Sequence, residues 1–195
     1  MIAIVDYDAG NIMSVGNALA RLGAEYELTS DPAKIIAADK VILPGVGNDA
    51  EAVASLRSKG LEEVIKGLRR PVLGICVGMQ IMCRDSEEGD AVGLGIFDSH
   101  VKRFTPTEDC KVPHMGWNAI NNLDGKLFRG ISGGGHVYFV HSYYPTLCPD
   151  TIATCRHAGV MFSAALKYEN FYGTQFHPEK SGSLGEQILT NFLSL

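Results

Sequence analysis

In the first half of the chain, short solid apolar runs alternate with stretches whose apolar residues recur every three or four positions. "IAIV" near the start is apolar throughout and too short for a helix, so it reads as a buried strand. "NIMSVGNALARLG" follows, with Ile12, Val15, Leu19 and Leu22 at helical spacing and Gly23 as the stop. "EYELT" reads as a strand, and "SDPAKIIAA" as a short helix capped by Asp31 with Pro32 at its first position. "KVILPG" is a strand, "DAEAVASLRSKG" and "LEEVIKGL" are helices, and "PVLGI" is another strand. Solid apolar strands separated by helices predict an α/β fold with a mainly parallel sheet covered on both faces, a three-layer sandwich.

The pattern changes after "SEEGDAVG". The strand-like stretches are "HVKRF", "WNAI", "HVYFVHSYY", "TIATCRH", "VMFSAALKY" and "FYGTQF". Turns such as Asp124-Gly125, Gly133-Gly134-Gly135 and Glu169-Asn170 separate them. They predict an antiparallel region added to one side of the α/β core. "SLGEQILTNFLSL" then reads as a closing amphipathic helix. No linker, repeat or low-complexity segment interrupts the chain, so residues 1–195 are expected to form one domain.

Composition narrows the classes. At 195 residues the chain can bury a full core without disulfides or metal. A net charge of −5 argues against nucleic acid, which calls for basic patches. The five cysteines are odd in number, widely spaced and without a CxxC pair. They form neither a disulfide framework nor a zinc site, and a reducing cytoplasm is the simpler expectation. "MIAIVDYD" lacks a basic stretch and its apolar run ends at Asp6, so it reads as a strand and not as a signal peptide. No apolar run reaches the ~18 residues of a spanning helix, and no membrane association is expected.

The candidate chemistry lies at two predicted strand ends. In "LGICVG" a thiol, Cys76, is flanked by Gly74 and Gly78. G-x-C-x-G has the form of a nucleophile elbow, where a strand turns sharply into a helix and side chains at the flanking positions would collide. The elbow puts the thiol at a helix start, which favours thiolate, and aims the Val77 N–H at a developing oxyanion. A buried cysteine in a glycine-containing strand is the competing reading. A cysteine nucleophile needs a base, and the base an orienting group. "FHPEKSG" offers His177 and Glu179, two apart across a proline and so on one side of an extended chain. Alone, it also fits a surface turn. Gly45 and Gly47 of "LPGVGN" leave room for close backbone approach, and Gln80 lies one helical turn past Cys76. His100, His114, His136, His141 and His157 read as structural, and no ligand spacing argues for a metal.

G-I-C-V-G-M-Q with a late H-P-E resembles the class I, triad-type glutamine amidotransferases. "DYDAGN", "LPGVGN", "PHMGWN", "YFVHSYY" and "FYGTQFHPEKSG" narrow the resemblance to the family of glutaminase subunits of imidazole glycerol phosphate synthase. It runs from residue 4 to the C-terminus. It implies the flavodoxin-like fold of that superfamily and hydrolysis of glutamine without a cofactor or metal. Cys76, His177 and Glu179 would form the triad, and Val77, Val46 and Gly47 the backbone oxyanion hole. Gln80 and the backbone of Ser142 and Tyr143 would hold glutamine. A (β/α)8-barrel cyclase subunit would complete a heterodimer and receive the ammonia, docking near Asn11, Trp117, Tyr138 and Lys180. Glycines on both sides of Val46 would make a partner-driven peptide flip cheap. Asp8 departs from the glycine common in the family at that position. Anthranilate or pyridoxal-phosphate glutaminase subunits share the triad, but "PGVG" and "PHMGWN" disfavour them. A non-catalytic α/β protein with an oxidisable cysteine is the rival from another class.

Overall fold

The computed structural model describes residues 1–8, 10–108 and 110–195. Strand β1 (Ile2–Val5) leads through α1 (Ile12–Arg21) to β2 (Tyr26–Thr29), and α2 (Pro32–Ala37) leads to β3 (Lys40–Leu43). Helices α3 (Asp49–Ser58) and α4 (Glu62–Lys66) connect to β4 (Val72–Ile75), which turns into the single-turn α5 (Val77–Gln80). Seven short-to-medium strands follow: β5 (Asp85–Ser86), β6 (Ala91–Val92), β7 (His100–Arg103), β8 (His114–Ile120), β9 (Gly135–His141), β10 (Tyr143–Pro145) and β11 (Thr151–His157). The chain ends with β12 (Val160–Tyr168), β13 (Phe171–Thr174) and α6 (Gly182–Leu193).

The main sheet has seven strands in the order β11-β12-β13-β4-β3-β1-β2. The pairs from β13 to β2 are parallel, and β12 and β11 continue the sheet antiparallel. β1, β4 and β13 are buried throughout and β3 nearly so, as expected of strands covered on both faces, whereas edge strand β2 alternates. The strand order reverses at β1/β3. With right-handed crossovers this puts α1 on one face and α2, α3 and α4 on the other. Arg21 of α1 reaches Glu186 of α6, so α6 shares the face of α1. Ligands of open α/β sheets collect beyond the carboxyl ends near such a reversal. The ends of β1, β3, β4 and β13 all point there.

The periodic positions behave as their spacing requires. Val15 and Leu19 are fully buried, and Ile12 and Leu22 pack partly buried against the same core. Each fully buried aliphatic side chain contributes about 1.5–3 kcal/mol of transfer free energy. Asp31 caps α2 by accepting from the Ala33 N–H at 2.8 Å, with Pro32 at the first helical position.

The second half corrects the sequence reading in three ways. "FYGTQF" supplies β13, which joins the parallel array beside β4 rather than the antiparallel region. "HVYFVHSYY" is two strands: β9 pairs with β8 in a separate ribbon, and after Ser142 β10 pairs with β7 in a four-stranded sheet, β10-β7-β5-β6. Continuous alternation hid a change of sheet, because partners are set by tertiary contacts. Finally, "WNAI" is only the end of β8, which begins at His114. Glycine at 116, with φ of 120°, concealed the first half of that strand.

Candidate active site

Cys76 sits between β4 and α5 with φ 53° and ψ −110°, a left-handed, strained conformation for a residue with a side chain. Its N–H donates to the Thr174 carbonyl of β13 at 2.8 Å, and its carbonyl accepts from the N–H groups of Met79 and Gln80, both at 3.0 Å. The flanking glycines are required. A Cβ at Gly74 would lie 2.5 Å from the Gly78 carbonyl oxygen, and one at Gly78 would collide with the Leu43 carbonyl oxygen. The elbow expected from G-x-C-x-G is therefore present in its geometry. The helix behind it is only one turn long, so its dipole is weaker than a full helix would give. The charge partner of the thiol is instead a histidine.

His177 and Glu179 follow β13, with His177 fully buried and Glu179 nearly so. The imidazole Nδ1 lies 2.8 Å from Glu179 Oε1. Burial opposes a charged ring, but the neighbouring Cys76 sulfur and the Glu179 carboxylate outweigh it and raise the imidazole to about 10. His177 Nε2 is buried and, among the described residues, has no hydrogen-bond partner, leaving it free for proton transfer. Asn11 Nδ2 donates to the same Glu179 oxygen at 2.5 Å. The His177 N–H donates to the Tyr138 carbonyl at 2.9 Å, and Ser181 Oγ donates to the His177 carbonyl at 2.6 Å. His177 is thus fixed at ring and backbone.

A cavity of about 340 Å³ opens in front of the thiol, near the small end of the range for ligand sites. Its walls include Cys76, Val77, Val46, Gly47, Gln80, Ser142 and Tyr143, every residue expected for the nucleophile, oxyanion hole and substrate. Among the described residues, the N–H groups of Val46, Gly47 and Val77 have no protein acceptor. Gly47 has φ of 125° and open space around it, while Gly45 packs against the elbow, with room for no Cβ between it and Gly78 N at 2.6 Å. Buried Tyr7 donates its hydroxyl to the Pro44 carbonyl, anchoring the loop from beneath. Gln80 is buried, not solvated, and its Nε2 donates to the Tyr143 carbonyl and to Gln175 Oε1, both at 2.9 Å.

Four wall residues escaped the sequence reading: Glu88, Pro113, Val140 and His141. Glu88 is the cavity's carboxylate. It accepts from the Asp49 N–H at 2.8 Å, and burial raises its carboxyl. A carboxylate in a polar, turn-rich stretch gives no local signal. Gln175 was also missed, although it sits in "TQFHPE"; its Nε2 lies 3.5 Å from the Cys76 sulfur.

The expected docking residues gather at the outer end of the His177–Glu179 pair. Trp117 is 54% exposed, its ring 6.2 Å from that of half-buried Tyr138. Lys180 is exposed, and Asn11 is hydrogen-bonded directly to Glu179. Asp8, at φ 64°, is tied to Lys59 at 3.0 Å and to Ser55 at 2.8 Å, which accounts for a carboxylate where glycine would fit. Among the described residues no group of three or more His, Cys, Asp or Glu could hold a metal ion, and no helix is long and apolar enough to cross a membrane.

A strained thiol and N–H groups around one small cavity, with a buried histidine–carboxylate pair beside the thiol, can perform acyl transfer on a carbonyl compound. Comparison with known proteins gives the same chemistry. The family model for glutamine amidotransferase class-I matches residues 3–195. The imidazole glycerol phosphate synthase subunit HisH of Bacteroides thetaiotaomicron is 54% identical over 195 residues, covering 100% of this chain and 99% of that one. The protein of the same name from Escherichia coli is 45% identical over 196 residues, with the same coverage. Among solved structures, a glutamine amidotransferase aligns with TM-score 0.74 at 18% identity, covering 100% of this chain and 98% of that one. Another, from Thermotoga maritima, aligns with TM-score 0.66 at 16% identity, over 99% and 82%. Those two likenesses concern the fold; the family model and the full-length relatives go further, and the chain belongs to the class-I glutamine amidotransferase family.

Proposed function

We propose that this chain is the glutaminase subunit of an imidazole glycerol phosphate synthase and acts in histidine biosynthesis. The observation that carries the reading is one cavity walled by Cys76 and the Val46–Gly47 loop, with the buried His177–Glu179 pair beside the Cys76 sulfur, in a chain 45–54% identical to proteins of that name along its whole length.

The Cys76 thiolate attacks the side-chain carboxamide carbon of glutamine. Negative charge moves to the carbonyl oxygen, where the N–H groups of Val77 and of Val46 or Gly47 receive it. One such donor is worth roughly 10²–10³ in rate. The C–N bond breaks as His177 gives its Nε2 proton to the leaving nitrogen, releasing ammonia and leaving a thioester on Cys76. His177 then removes a proton from water, which attacks the thioester; glutamate leaves and the thiolate returns. Glu179 holds the ring and its charge throughout. Glu88 receives the α-ammonium group of the substrate, and Gln80 with the Ser142–Tyr143 backbone forms the wall against it.

Ammonia is mostly protonated in neutral water and then cannot act as a nucleophile. Its acceptor therefore has to be joined to this chain. The partner in our reading is a (β/α)8-barrel cyclase subunit in a cytoplasmic heterodimer, docked over Asn11, Trp117, Tyr138 and Lys180. There ammonia and a phosphorylated ribulosyl nucleotide give imidazole glycerol phosphate and an aminoimidazole carboxamide ribotide. Val46 lies between two glycines, and among the described residues its N–H has no acceptor, which supports a peptide flip that completes the oxyanion hole when the partner signals. Residues 1–195 act as one domain in this reading.

Glutamate release from glutamine tests it, measured for the chain alone and with the cyclase subunit and its nucleotide. Low activity alone that rises by orders of magnitude in the complex is the expected result. Equal high activity in both removes the flip, and no release in either removes the assignment.

A further inference from the structure

Two buried histidines outside the triad form a chain of hydrogen bonds whose direction can be read from its ends. His141 Nδ1 lies 2.7 Å from the Tyr143 carbonyl. A carbonyl only accepts, so His141 donates from Nδ1, and in the neutral ring that burial favours its Nε2 is an acceptor. That Nε2 lies 2.9 Å from His114 Nδ1, which must then donate. His114 Nε2 is left as an acceptor, and Asn118 Nδ2 lies 3.1 Å from it as donor. The other proton of that amide donates to the Arg156 carbonyl at 3.0 Å. Every group has the role its neighbour needs, and both rings are neutral. Burial agrees: it lowers both imidazoles, His114 to about 3 with help from nearby His157. The rings are also held flat, His114 lying between Phe139 at 4.6 Å and His157 at 4.0 Å, both near-parallel to it.

Both ends of the chain matter. The inner end is the Tyr143 carbonyl, which also accepts from Gln80 in the cavity wall. The outer end lies on β8, whose side chains alternate. His114 points inward and is buried, while Met115 and Trp117 point out, 64% and 54% exposed. One strand thus presents an apolar face to the outside and feeds the chain into the cavity from its other face.

We infer that His114 and His141 are positioning residues for substrate: the chain Asn118–His114–His141 fixes the Ser142–Tyr143 peptide in the cavity wall and ties it to the strand bearing Met115 and Trp117. This rests on the reading of the cavity as the glutamine site. Among the described residues, neither histidine is hydrogen-bonded to Cys76 or to His177. Their loss therefore weakens the hold on substrate before it affects the chemistry of Cys76.

The test is His141→Phe in the full chain assembled with its cyclase subunit. Losing a buried hydrogen bond from the wall raises KM for glutamine about tenfold, with kcat within about threefold. Two reagents separate the causes. Inactivation by a diazo-ketone analogue of glutamine, which must occupy the cavity, slows about tenfold, while alkylation of Cys76 by iodoacetamide does not change. His141→Asn, whose amide can donate where Nδ1 did, recovers most of the KM. Should His141→Phe fail to fold, Asn118→Leu is read instead; it unpairs His114 Nε2 near the surface and raises KM about threefold. Unchanged KM and unchanged analogue labelling in the folded variant, or a loss confined to kcat, overturns the inference. A wild-type complex that neither hydrolyses glutamine nor reacts with the analogue, yet is alkylated by iodoacetamide, overturns the glutaminase reading itself.

Discussion

A Cβ at Gly78 would collide with the carbonyl oxygen of Leu43, so the two backbones pack with no space for a side chain. Leu43 ends β3 and Gly78 lies inside the elbow after β4, so this contact clamps two adjacent strand ends together. Gly45 repeats it from the other direction, against Gly78 N and Val77 Cβ. The loop that would supply oxyanion donors and the turn that presents Cys76 are therefore one packed unit.

Gly78→Ala is expected to destabilise the protein by about 3 kcal/mol, because the obstructing atom is backbone and cannot rotate away. Gly47→Ala meets no atom but is forced to φ near 125°, so the strain falls on the loop alone, about 1 kcal/mol. Urea denaturation should separate them clearly, with Gly47→Ala losing glutaminase activity far out of proportion to stability. Comparable stability losses in both variants would contradict the clamp.

Cys76→Ala should remove glutamine turnover altogether while leaving the fold within about 1 kcal/mol of wild type. The sulfur lies 3.9 Å from the Val140 carbonyl and 3.5 Å from Gln175 Nε2, and the His177 ring beside it can shed its proton once the thiol is gone, so little of the fold depends on it. Denaturation curves and glutamate release on the same preparation check both halves. Residual turnover above background would mean that another group attacks the amide.

Glu179→Gln separates charge from geometry. The amide oxygen can still accept from His177 Nδ1 and Asn11 Nδ2, but the negative charge that helps raise the imidazole is gone. A loss of about 10²–10⁴ in kcat is expected, by analogy with triads whose carboxylate is neutralised. Asn11→Gly, which suits a φ of 70° without strain, removes one support of the carboxylate and should cost about tenfold or less. An equal loss in both would show that Asn11 does more than hold Glu179.

Some of this was legible in the chain and some was not. The elbow glycines were, because a collision excludes any other residue type there, and so was the H-P-E spacing that joins His177 to Glu179. Central strands announced themselves because burial on both faces leaves only apolar residues. Strand partners did not. Phe171–Thr174 has the same local pattern whether it lies beside β4 or in a meander, and only long-range pairing decides. Glu88 was invisible for a related reason, since a carboxylate enters the site through the Asp49 N–H on another element. His114 and His141 looked like ordinary buried histidines one at a time; their meaning lies in a 2.9 Å contact across two strands.

Asp49 gives a test by pH. It is fully buried at the start of α3, and Ser86 Oγ donates to its Oδ2 at 2.5 Å. Burial pushes its carboxyl up to about 7, against the pull of that hydrogen bond and with help from Glu88. The unfolded chain releases this proton near 4, as free carboxyls do. Between about pH 4 and pH 7 the native state holds a proton that the unfolded state has lost, so stability falls as pH rises, by up to about 1.4 kcal/mol per unit. Above about 7 both states are ionised and the effect levels off. Asp49→Asn cannot titrate yet keeps an oxygen for Ser86, so its contribution is flat across that window. The variant should gain stability over wild type as the pH is raised from about 4.5 to about 8, read from urea midpoints at both ends. If the difference between the two proteins is the same at both pH values, Asp49 is ionised throughout, and its buried charge must be compensated by contacts other than Ser86.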